Sequence, residues 1–369
     1  MDFNKFILLV IHLDSSMQYK FLEILRCPVS KAKLRFELIS EFTKAYNNIE
    51  IVEIKEGLLF SEAGFVFPVI DGIPRLLVES MFDYSDFLEK KLSGFIELRK
   101  QLEANYADLL KYCIRKNKKT KASFAFEWSF LKPEKNDKLW HDDSSQLANV
   151  FLRETGEEQG YFSNKIVADI GSGHGLMTST IANISKLCIG AEISKAVELA
   201  YVRNKNSNAW YIQADLQFLP FEESSFDLLY SSGVIHHTND TEKSLSLIET
   251  IIKEGGKACL WLYHPQKNIL HRLMMLLRRF TRRLPIKVAL VFLLIFVFPF
   301  TFLIKKIKNR NAPNFREEMI DLLDGFTPEF RFEVSYDEAK RWLKKRNYTD
   351  ITLTTTSQYG FSITGVKKT

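Results

Sequence analysis

Cysteine is scarce in this sequence, and its four cysteines share no C-x-x-C spacing. They are Cys27, Cys113, Cys188 and Cys259. The last two lie within apolar segments that are typical of core strands. This spacing excludes a C-x-x-C redox motif, and we expect all four thiols to be reduced, as in a cytosolic protein.

The N-terminus also lacks the features of a secretory signal. Its apolar run covers only Phe6 to Ile11, and Asp2 precedes that run. A signal peptide has a longer apolar stretch behind a basic start. We expect residues 1–16 to be an extension, or the result of a misassigned start codon, ahead of a domain that begins at Met17.

Acidic residues are absent from His264–Arg310, a segment that contains eleven lysines and arginines. Because the whole chain carries +6, the remainder of the chain carries −5. Proteins that bind nucleic acid usually spread their basic residues over one face of the fold. Here the basic residues surround a single apolar run, which favours lipid over nucleic acid as a partner.

The stretch Ile166–Gly175, IVADIGSGHG, is the most informative feature that is present. A short apolar strand ends at Asp169, a glycine-rich turn follows, and apolar residues at helical spacing begin at Leu176. Strand, glycine loop and helix form the first unit of a nucleotide-binding α/β sheet. The fingerprint G-x-G-x-x-G requires glycine where Leu176 stands, and an acid ahead of the loop suits a cationic ligand better than a pyrophosphate. Both observations disfavour a nicotinamide dehydrogenase.

Further strands alternate with helices along the chain. The predicted strands are Ile166–Asp169, Leu187–Glu192, Ala209–Gln213, Phe226–Ser231 and Lys257–Tyr263, with a closing hairpin at Ile351–Thr356 and Gly360–Val366. Five strands separated by helices indicate a doubly wound, mainly parallel α/β sheet. An acid, Glu192, ends the second strand, where a ribose-binding carboxylate belongs.

Residues 156–263 and 327–369 resemble the class I S-adenosylmethionine-dependent methyltransferases. The resemblance rests on ordered motifs: VADIGSGHG at 167–175, Glu192, ADLQFLPF at 214–221, FDLLYSSGVIHH at 226–237 and the EGG turn at 254–256. It implies a Rossmann-like sheet of seven strands with an antiparallel last strand. It also implies S-adenosyl-L-methionine as the cofactor.

The resemblance further implies which residues bind that cofactor. The backbone of Gly171–Gly175 would cradle the methionine part, Asp169 would face its ammonium directly or through water, and Glu192 would accept from both ribose hydroxyls. Asp215 and Leu216 would flank the adenine. The full implied set is Asp169, Gly171, Ser172, Gly173, Gly175, Glu192, Asp215, Leu216, Ser232 and Gly233.

Some of these residues have a second interpretation. If Glu192 does not bind the cofactor, it is an acid on the protein surface. If Asp215 does not, it caps a turn. The candidate catalytic pair, His236 and His237, either packs at the start of the next helix, as such pairs often do in the family, or supplies a general base near neutral pH. Methyl transfer requires an aligned nucleophile and only sometimes the removal of a proton.

The segment Met17–Glu79 resembles the small zinc-ribbon module that activates some RNA and protein methyltransferases. The matches lie in LEILRCP at 22–28 and FPVIDGIP at 67–74. Ser30 stands where the family pairs a second cysteine with Cys27, and the second cysteine pair is absent. One thiolate cannot hold a tetrahedral zinc. We therefore expect a β-rich module without metal.

A charged, periodic segment, Phe82–Lys121, is typical of helices, and a basic loop is predicted at its end, Lys116–Lys121. Aromatic residues then occupy every second position of Ala122–Leu131, which predicts an extended segment. That segment either packs on the main domain or forms a flap over the ligand site, to which Trp140 and His141 would then belong.

An insertion at 264–350 separates the fifth strand from the hairpin. Its run Val288–Ile304 has 17 residues without a charge, whereas a transmembrane helix needs about 20. The strands on both sides belong to one sheet and must share a compartment, which excludes a single crossing. The run is therefore predicted to be a helix in the membrane interface or a helix that caps the substrate cavity. A loop is predicted at Asp321–Phe330 and an amphipathic helix at Phe332–Arg346.

The sequence thus predicts a cytoplasmic methyltransferase that acts on a small or lipid-linked acceptor, with oxygen favoured over carbon and nitrogen. Peripheral contact with an anionic membrane at its inner face is left open, as is the alternative of a catalytically silent cofactor-binding regulator. Acceptor and oligomeric state cannot be read, because this fold builds its substrate pocket from variable loops. The predicted domains are 1–16, 17–80, 81–155 and 156–369, the last with the insertion 264–350 and its helix 288–304.

Overall fold

A four-stranded antiparallel sheet forms the N-terminal part of the structure. The computed structural model describes residues 17–47, 49–129, 146–308 and 315–368. Helix α1 (Met17–Ile24) precedes the strands, which pair in chain order: β1 (Arg35–Tyr46), β2 (Ile49–Phe60), β3 (Val66–Ile70) and β4 (Ile73–Pro74). The predicted β-rich fold of this part is confirmed. Its kinship with zinc ribbons stays a prediction, and the predicted extension 1–16 lies outside the described residues.

A long helix, α4 (Phe95–Trp128), follows the short helices α2 (Ser80–Asp83) and α3 (Ser85–Lys91). The predicted basic loop and the predicted extended segment were both wrong up to residue 129, because both belong to α4. The rest of that segment, with Trp140 and His141, lies outside the described residues.

The alternating aromatic residues of α4 have a helical explanation. Phe124 and Trp128, four residues apart, pack against residues of the C-terminal sheet unit. Phe126, on the other side of the helix, packs into a cluster of insertion helices. A helix wedged between two apolar bodies buries two stripes, and the two stripes together resemble the period of a strand.

A seven-stranded sheet forms the C-terminal part. Its strands are β5 (Ile166–Ile170), β6 (Leu187–Glu192), β7 (Ala209–Gln213), β8 (Phe226–Ser232), β9 (Ile252–Tyr263), β10 (Tyr348–Thr356) and β11 (Gly360–Lys367). Their spatial order is β10-β11-β9-β8-β5-β6-β7. Neighbours are parallel except at β11, which is antiparallel to β9 and β10. The predicted doubly wound sheet with an antiparallel last strand is confirmed.

Helices cover both faces of this sheet. Those between the parallel strands are α6 (Leu176–Ala182), α7 (Ala196–Arg203) and α8 (Thr241–Ile248), and α5 (Leu147–Thr155) precedes β5. The carboxyl ends of β5 and β8 lie side by side where the strand order reverses, so a cleft opens there. The free cysteines are all buried.

The insertion consists of helices. They are α9 (Ile269–Thr281), α10 (Ile286–Phe296), α11 (Phe298–Lys308), α12 (Phe315–Phe326) and α13 (Tyr336–Lys345). The loop predicted at 321–330 was wrong up to Phe326. In place of one helix at 288–304, α10 and α11 meet at a 49° bend. Pro299, in the first turn of α11, explains the break, because its ring nitrogen has no proton for the preceding turn.

No single helix of the described ranges is long and apolar enough to cross a membrane. The bent pair α10–α11 does reach the required length and hydropathy when its two helices are taken together.

The N-terminal sheet is fastened to the edge of the C-terminal sheet. Arg75, just after β4, pairs in parallel with Gln213 at the end of β7, and the Leu76 amide donates to the Gln213 carbonyl at 2.8 Å. Behind them, the Glu53 carboxylate accepts from the phenols of Tyr46 and Tyr201. One continuous apolar core runs through both sheets, so the edge strand β7 is covered by the chain's own N-terminal part.

Gly72 provides a test of this docking. Its φ is +80°, and a methyl group there would overlap the Tyr201 phenol, whereas Gly94 has φ +74° and open space around it. We expect Gly94→Ala to lower the free energy of unfolding by about 1 kcal/mol, from backbone strain alone. Gly72→Ala adds overpacking and should cost about 2–4 kcal/mol. Denaturant titration measures both, and equal losses would argue against close docking of the sheets.

Candidate functional site

A cavity lies at the carboxyl ends of β5, β6, β7 and β8. Six of the predicted cofactor residues line it: Gly171, Glu192, Asp215, Leu216, Ser232 and Gly233. The other four, Asp169, Ser172, Gly173 and Gly175, lie behind its wall. The structure thus brings the ends of four separate strands together around one site, as a doubly wound sheet requires.

The glycine loop is packed too tightly for side chains. Gly171, Gly173 and Gly175 all have positive φ, at +83°, +54° and +81°. A methyl group at Gly173 would meet the Trp128 indole at 2.9 Å, and at Gly175 it would meet Ala200. Glycine is required here both for conformation and for the close approach of neighbouring elements.

Glu192 is held rigidly at the end of β6. One carboxylate oxygen accepts the Gly173 amide at 3.1 Å, and the other accepts the Ser194 amide at 2.8 Å. Burial raises the pKa of Glu192, and these hydrogen bonds oppose the shift. Both oxygens of the carboxylate are therefore fixed in place at the cavity, which Glu192 lines.

Asp169 does not reach the cavity. Its carboxylate accepts the Thr178 hydroxyl at 2.6 Å, which ties the end of β5 to α6. Burial raises its pKa to about 7, although the bond from Thr178 acts in the opposite direction. Contact between Asp169 and a cofactor ammonium, directly or through water, stays a prediction.

Asp215 is engaged by α4. Its Oδ2 accepts the Lys116 ammonium at 2.6 Å and the Asn117 amide at 3.1 Å, while its Oδ1 accepts the Gln217 backbone amide at 2.9 Å. With three of about four acceptor positions occupied, one remains for a ligand. Asp215 thus caps a turn and also lines the cavity.

Residues of α4 form the wall that the sequence analysis missed. They are Lys116, Asn117, Thr120, Phe124, Glu127 and Trp128. Their spacing of three or four residues is the signal of a single helix face, and it was hidden because the region was divided into a loop and an extended segment. At the end of this face, the Trp128 ring stacks on His174 of the glycine loop, with centroids 4.5 Å apart. Burial lowers the pKa of His174 to about 3, so the imidazole on which Trp128 stacks is neutral.

The two candidate catalytic histidines occupy different environments. His236 is fully buried, lies outside the cavity lining and contacts the Tyr263 ring at 4.2 Å. Burial lowers its pKa well below the usual value. This position favours the packing interpretation of His236.

His237 lines the cavity, but both of its ring nitrogens face oxygen acceptors. Nδ1 is 2.9 Å from the Phe330 carbonyl oxygen, and Nε2 is 3.3 Å from Asp324 Oδ1. Burial alone would raise the pKa of Asp324, yet His237 and a hydrogen bond from Tyr263 hold it below its usual value. The hydrogen bond of this ring is the one at Nδ1, while Nε2 lies within ion-pair distance of Asp324 without hydrogen-bond geometry. The general-base interpretation of His237 stays a prediction.

Metal ligands do not cluster in the described residues. No group of three or more His, Cys, Asp or Glu side chains is arranged to hold a metal there. Cys27 is buried, and its sulfur accepts the Ser30 amide at 3.4 Å.

Residues 168–260 match a protein-family model described as a methyltransferase domain. The chain is 30% identical over 98 residues to the uncharacterized methyltransferase YcgJ of Bacillus subtilis, covering 26% of this chain and 39% of that protein. It is 26% identical over 144 residues to the ubiquinone/menaquinone biosynthesis C-methyltransferase UbiE of Teredinibacter turnerae, covering 35% of this chain and 55% of that protein.

A third relative is the ubiquinone biosynthesis O-methyltransferase of Coxiella burnetii, 25% identical over 104 residues, covering 27% of this chain and 44% of that protein. The crystal structure of YcgJ aligns with 61% of this chain and 99% of its own, at 17% identity and a TM-score of 0.37. The chain therefore spans between two fifths and just over half of the length of these curated relatives.

The C-terminal part of the chain contains a class I methyltransferase domain, of a family that uses S-adenosylmethionine. The cavity fits this cofactor. Glu192 lines the cavity with its carboxylate held in place to meet the two ribose hydroxyls, and Asp215 keeps one acceptor position for the adenine amino group. Gly233 has φ +78° and open space around its Cα, so the backbone is accessible at the methionine end.

Glu192→Ala tests the placement of the ribose. The substitution removes two charge-assisted hydrogen bonds, so we expect cofactor binding to weaken by about 2 kcal/mol or more. Calorimetric titration of S-adenosylmethionine into the folded variant and the wild type measures the change, and circular dichroism checks the fold. Unchanged affinity would show that Glu192 does not contact the ribose.

Proposed function

We propose that this protein transfers a methyl group from S-adenosylmethionine to a hydrophobic acceptor held in a membrane, with an acceptor oxygen favoured over carbon or nitrogen. The observation that supports this proposal most directly is the apolar surface of the insertion, which lies next to the cavity.

Exposed apolar side chains concentrate in the insertion. Of 22 large hydrophobic residues that are exposed in the described part of the chain, 14 lie between Ile269 and Phe315. Those of α9 include Ile269, Leu273, Leu276 and Phe280, whose spacing of four, three and four residues places them on one face. A contiguous apolar face on a helix fits insertion into the acyl boundary of a bilayer.

Basic residues accompany this face. The exposed ones are Lys267, Arg272, Arg279, Arg283, Lys287 and Lys306, and each contributes about 1 kcal/mol near an anionic surface. Part of the segment's positive charge is used internally, because Lys305 pairs with Glu318 at 2.7 Å and with Asp321 at 2.9 Å. The exposed charges complement an anionic leaflet, which makes such a membrane the occupant that we propose for this surface.

Topology supports an interfacial position. Strands β9 and β10–β11, on either side of the insertion, belong to the same sheet, so a single crossing would put one sheet in two compartments. Helix α12 packs on α9 and α11, shares an apolar cluster with α10 and presents Asp324 to the cavity. In our proposal, the same insertion provides both a membrane-facing surface and a wall of the substrate cavity, and the sheet lies on the cytoplasmic side.

The chemistry needed from the chain is modest. Bound S-adenosylmethionine supplies a methyl group made electrophilic by its sulfonium. Glu192 and Asp215 orient the cofactor, while Phe124, Trp128 and Phe330 exclude water from the methyl end of the cavity. Alignment of this kind accounts for much of the rate enhancement in a transfer between two bound partners.

Transfer to lipid can be tested without knowing the acceptor. We expect purified protein with methyl-labelled S-adenosylmethionine to place label in the organic phase when given a total lipid extract, and none when given the aqueous metabolite extract of the same cells. Glu192→Ala serves as the matched control for cofactor-dependent transfer. Label in aqueous products would contradict the membrane acceptor, and cofactor binding without any transfer would favour the silent regulator.

Membrane docking has its own test. We expect co-sedimentation with vesicles rich in anionic phospholipid, weakening as salt is added because exposed charges are screened. Replacing Leu273, Leu276 and Phe280 by serine should abolish it, because these side chains, each more than half exposed, supply the apolar burial in the bilayer. The control variant Ile49→Ser with Val52→Ser removes exposed hydrophobic residues from β2 and should sediment like wild type. Wild-type protein that stays in the supernatant at low salt would refute the docking.

A further inference from the structure

Glu127 is a buried carboxyl group that the family motifs do not account for. It lies in the last turn of α4, is 1% exposed and lines the cavity. Its Oε2 has no hydrogen-bond partner within the described residues. A buried polar atom without a partner is costly unless a ligand satisfies it.

The position of Glu127 along α4 identifies the part of the cavity that it faces. Lys116 marks the Asp215 end, where the adenine belongs. Glu127 lies eleven residues further on, or about 16 Å along the helix at 1.5 Å per residue. The adjacent Trp128 stacks on the glycine loop, so α4 runs the length of the cavity and Glu127 faces its methionine end.

Four carboxyl groups line this cavity, and three of them are compensated. Asp215 pairs with Lys116 at 2.6 Å, and Asp324 faces His237 at 3.3 Å. Glu192 accepts two backbone amides. The carboxyl of Glu127 is the remaining one, and it shares the cavity with the residue that takes the ribose. The cofactor's sulfonium is bonded to that ribose, which brings a positive charge to this region.

We propose that Glu127 is the counter-ion of the cofactor's sulfonium, and that it thereby favours S-adenosylmethionine over the demethylated product, S-adenosylhomocysteine. The inference rests on the cofactor use proposed above but not on the identity of the acceptor. It assigns a selectivity role within the methyltransferase site to a residue of the connecting helix.

Electrostatics predict how this pairing responds to the ligand. Burial, and then the carboxylates of Asp324, Glu192 and Asp321, raise the pKa of Glu127 well above its usual value. His237 also faces this region, but its Nε2 is directed to Asp324. Without a ligand, these effects favour the protonated form of Glu127. A sulfonium favours the charged carboxylate, so binding S-adenosylmethionine should release a proton, and the uncharged thioether of the product should not.

Proton release can be measured directly. Calorimetric titrations at pH 7 in phosphate and in Tris, buffers with different ionisation enthalpies, report the protons exchanged on binding. For wild type we expect S-adenosylmethionine to release more protons than S-adenosylhomocysteine does. Glu127→Gln, which keeps the shape of a neutral carboxyl, should abolish that difference. It should also weaken S-adenosylmethionine about tenfold or more, with the product changed less than twofold.

Control variants separate the outcomes. Glu97→Gln changes an exposed acid in the first turn of the same helix and should behave like wild type. Glu127→Met, similar in size and apolar, should reproduce the loss of selectivity if the glutamine variant is poorly folded. Equal proton release for the two ligands in wild type, or a wild-type difference in Glu127→Gln, would overturn the inference. Failure of wild type to bind either ligand would overturn the cofactor assignment as well, whereas loss of lipid methylation alone would leave the inference intact.

Discussion

The ion pair between Lys116 and Asp215 connects the part of the chain that precedes the sheet to the site that the sheet creates. It places the first cavity-facing turn of α4 at one end of the cleft, and the stack of Trp128 on His174 fixes the other end. The other cavity residues that α4 contributes, Asn117, Thr120, Phe124 and Glu127, lie on the same helix between these two contacts. The cofactor cleft is therefore not complete within the methyltransferase domain alone, because one of its walls comes from the connecting segment.

A second wall comes from the insertion. Asp324 of α12 lines the cavity, with its carboxylate beside His237 and accepting from Tyr263, and α12 in turn packs on α9 and α11. The helices that carry the exposed apolar face are thereby coupled through direct contacts to the methyl end of the cavity. If those helices move when they meet a membrane, their contacts with α12 can transmit the movement to the groups that line the methyl end of the cavity.

The sequence predicted the sheet well because its strands are short, buried on both faces and bounded by glycines or acids. Strands β6 and β7 have the predicted bounds, and Glu192 lies where its motif implied. The contribution of α4 could not be predicted, because a helix that packs against two bodies imitates the alternation of a strand. Asp169 was placed toward the ligand by resemblance, yet its bond to Thr178 is a tertiary contact that no motif encodes. Pro299 is a sequence signal for the bend between α10 and α11. Which side of these helices is buried could not be predicted, because apolar residues occupy every side of the run.

Residues 75 and 76 cover the edge of β7, and this affects the tendency of the chain to aggregate. Within the described residues, the other outer strand, β10, is interrupted by register shifts that spoil it as a template for pairing. A chain shortened to its methyltransferase domain would expose the straight edge of β7, and exposed edges of this kind recruit strands from other copies. Protection from aggregation would then be reason enough to retain the N-terminal sheet, because its backbone covers β7 without any need for a metal.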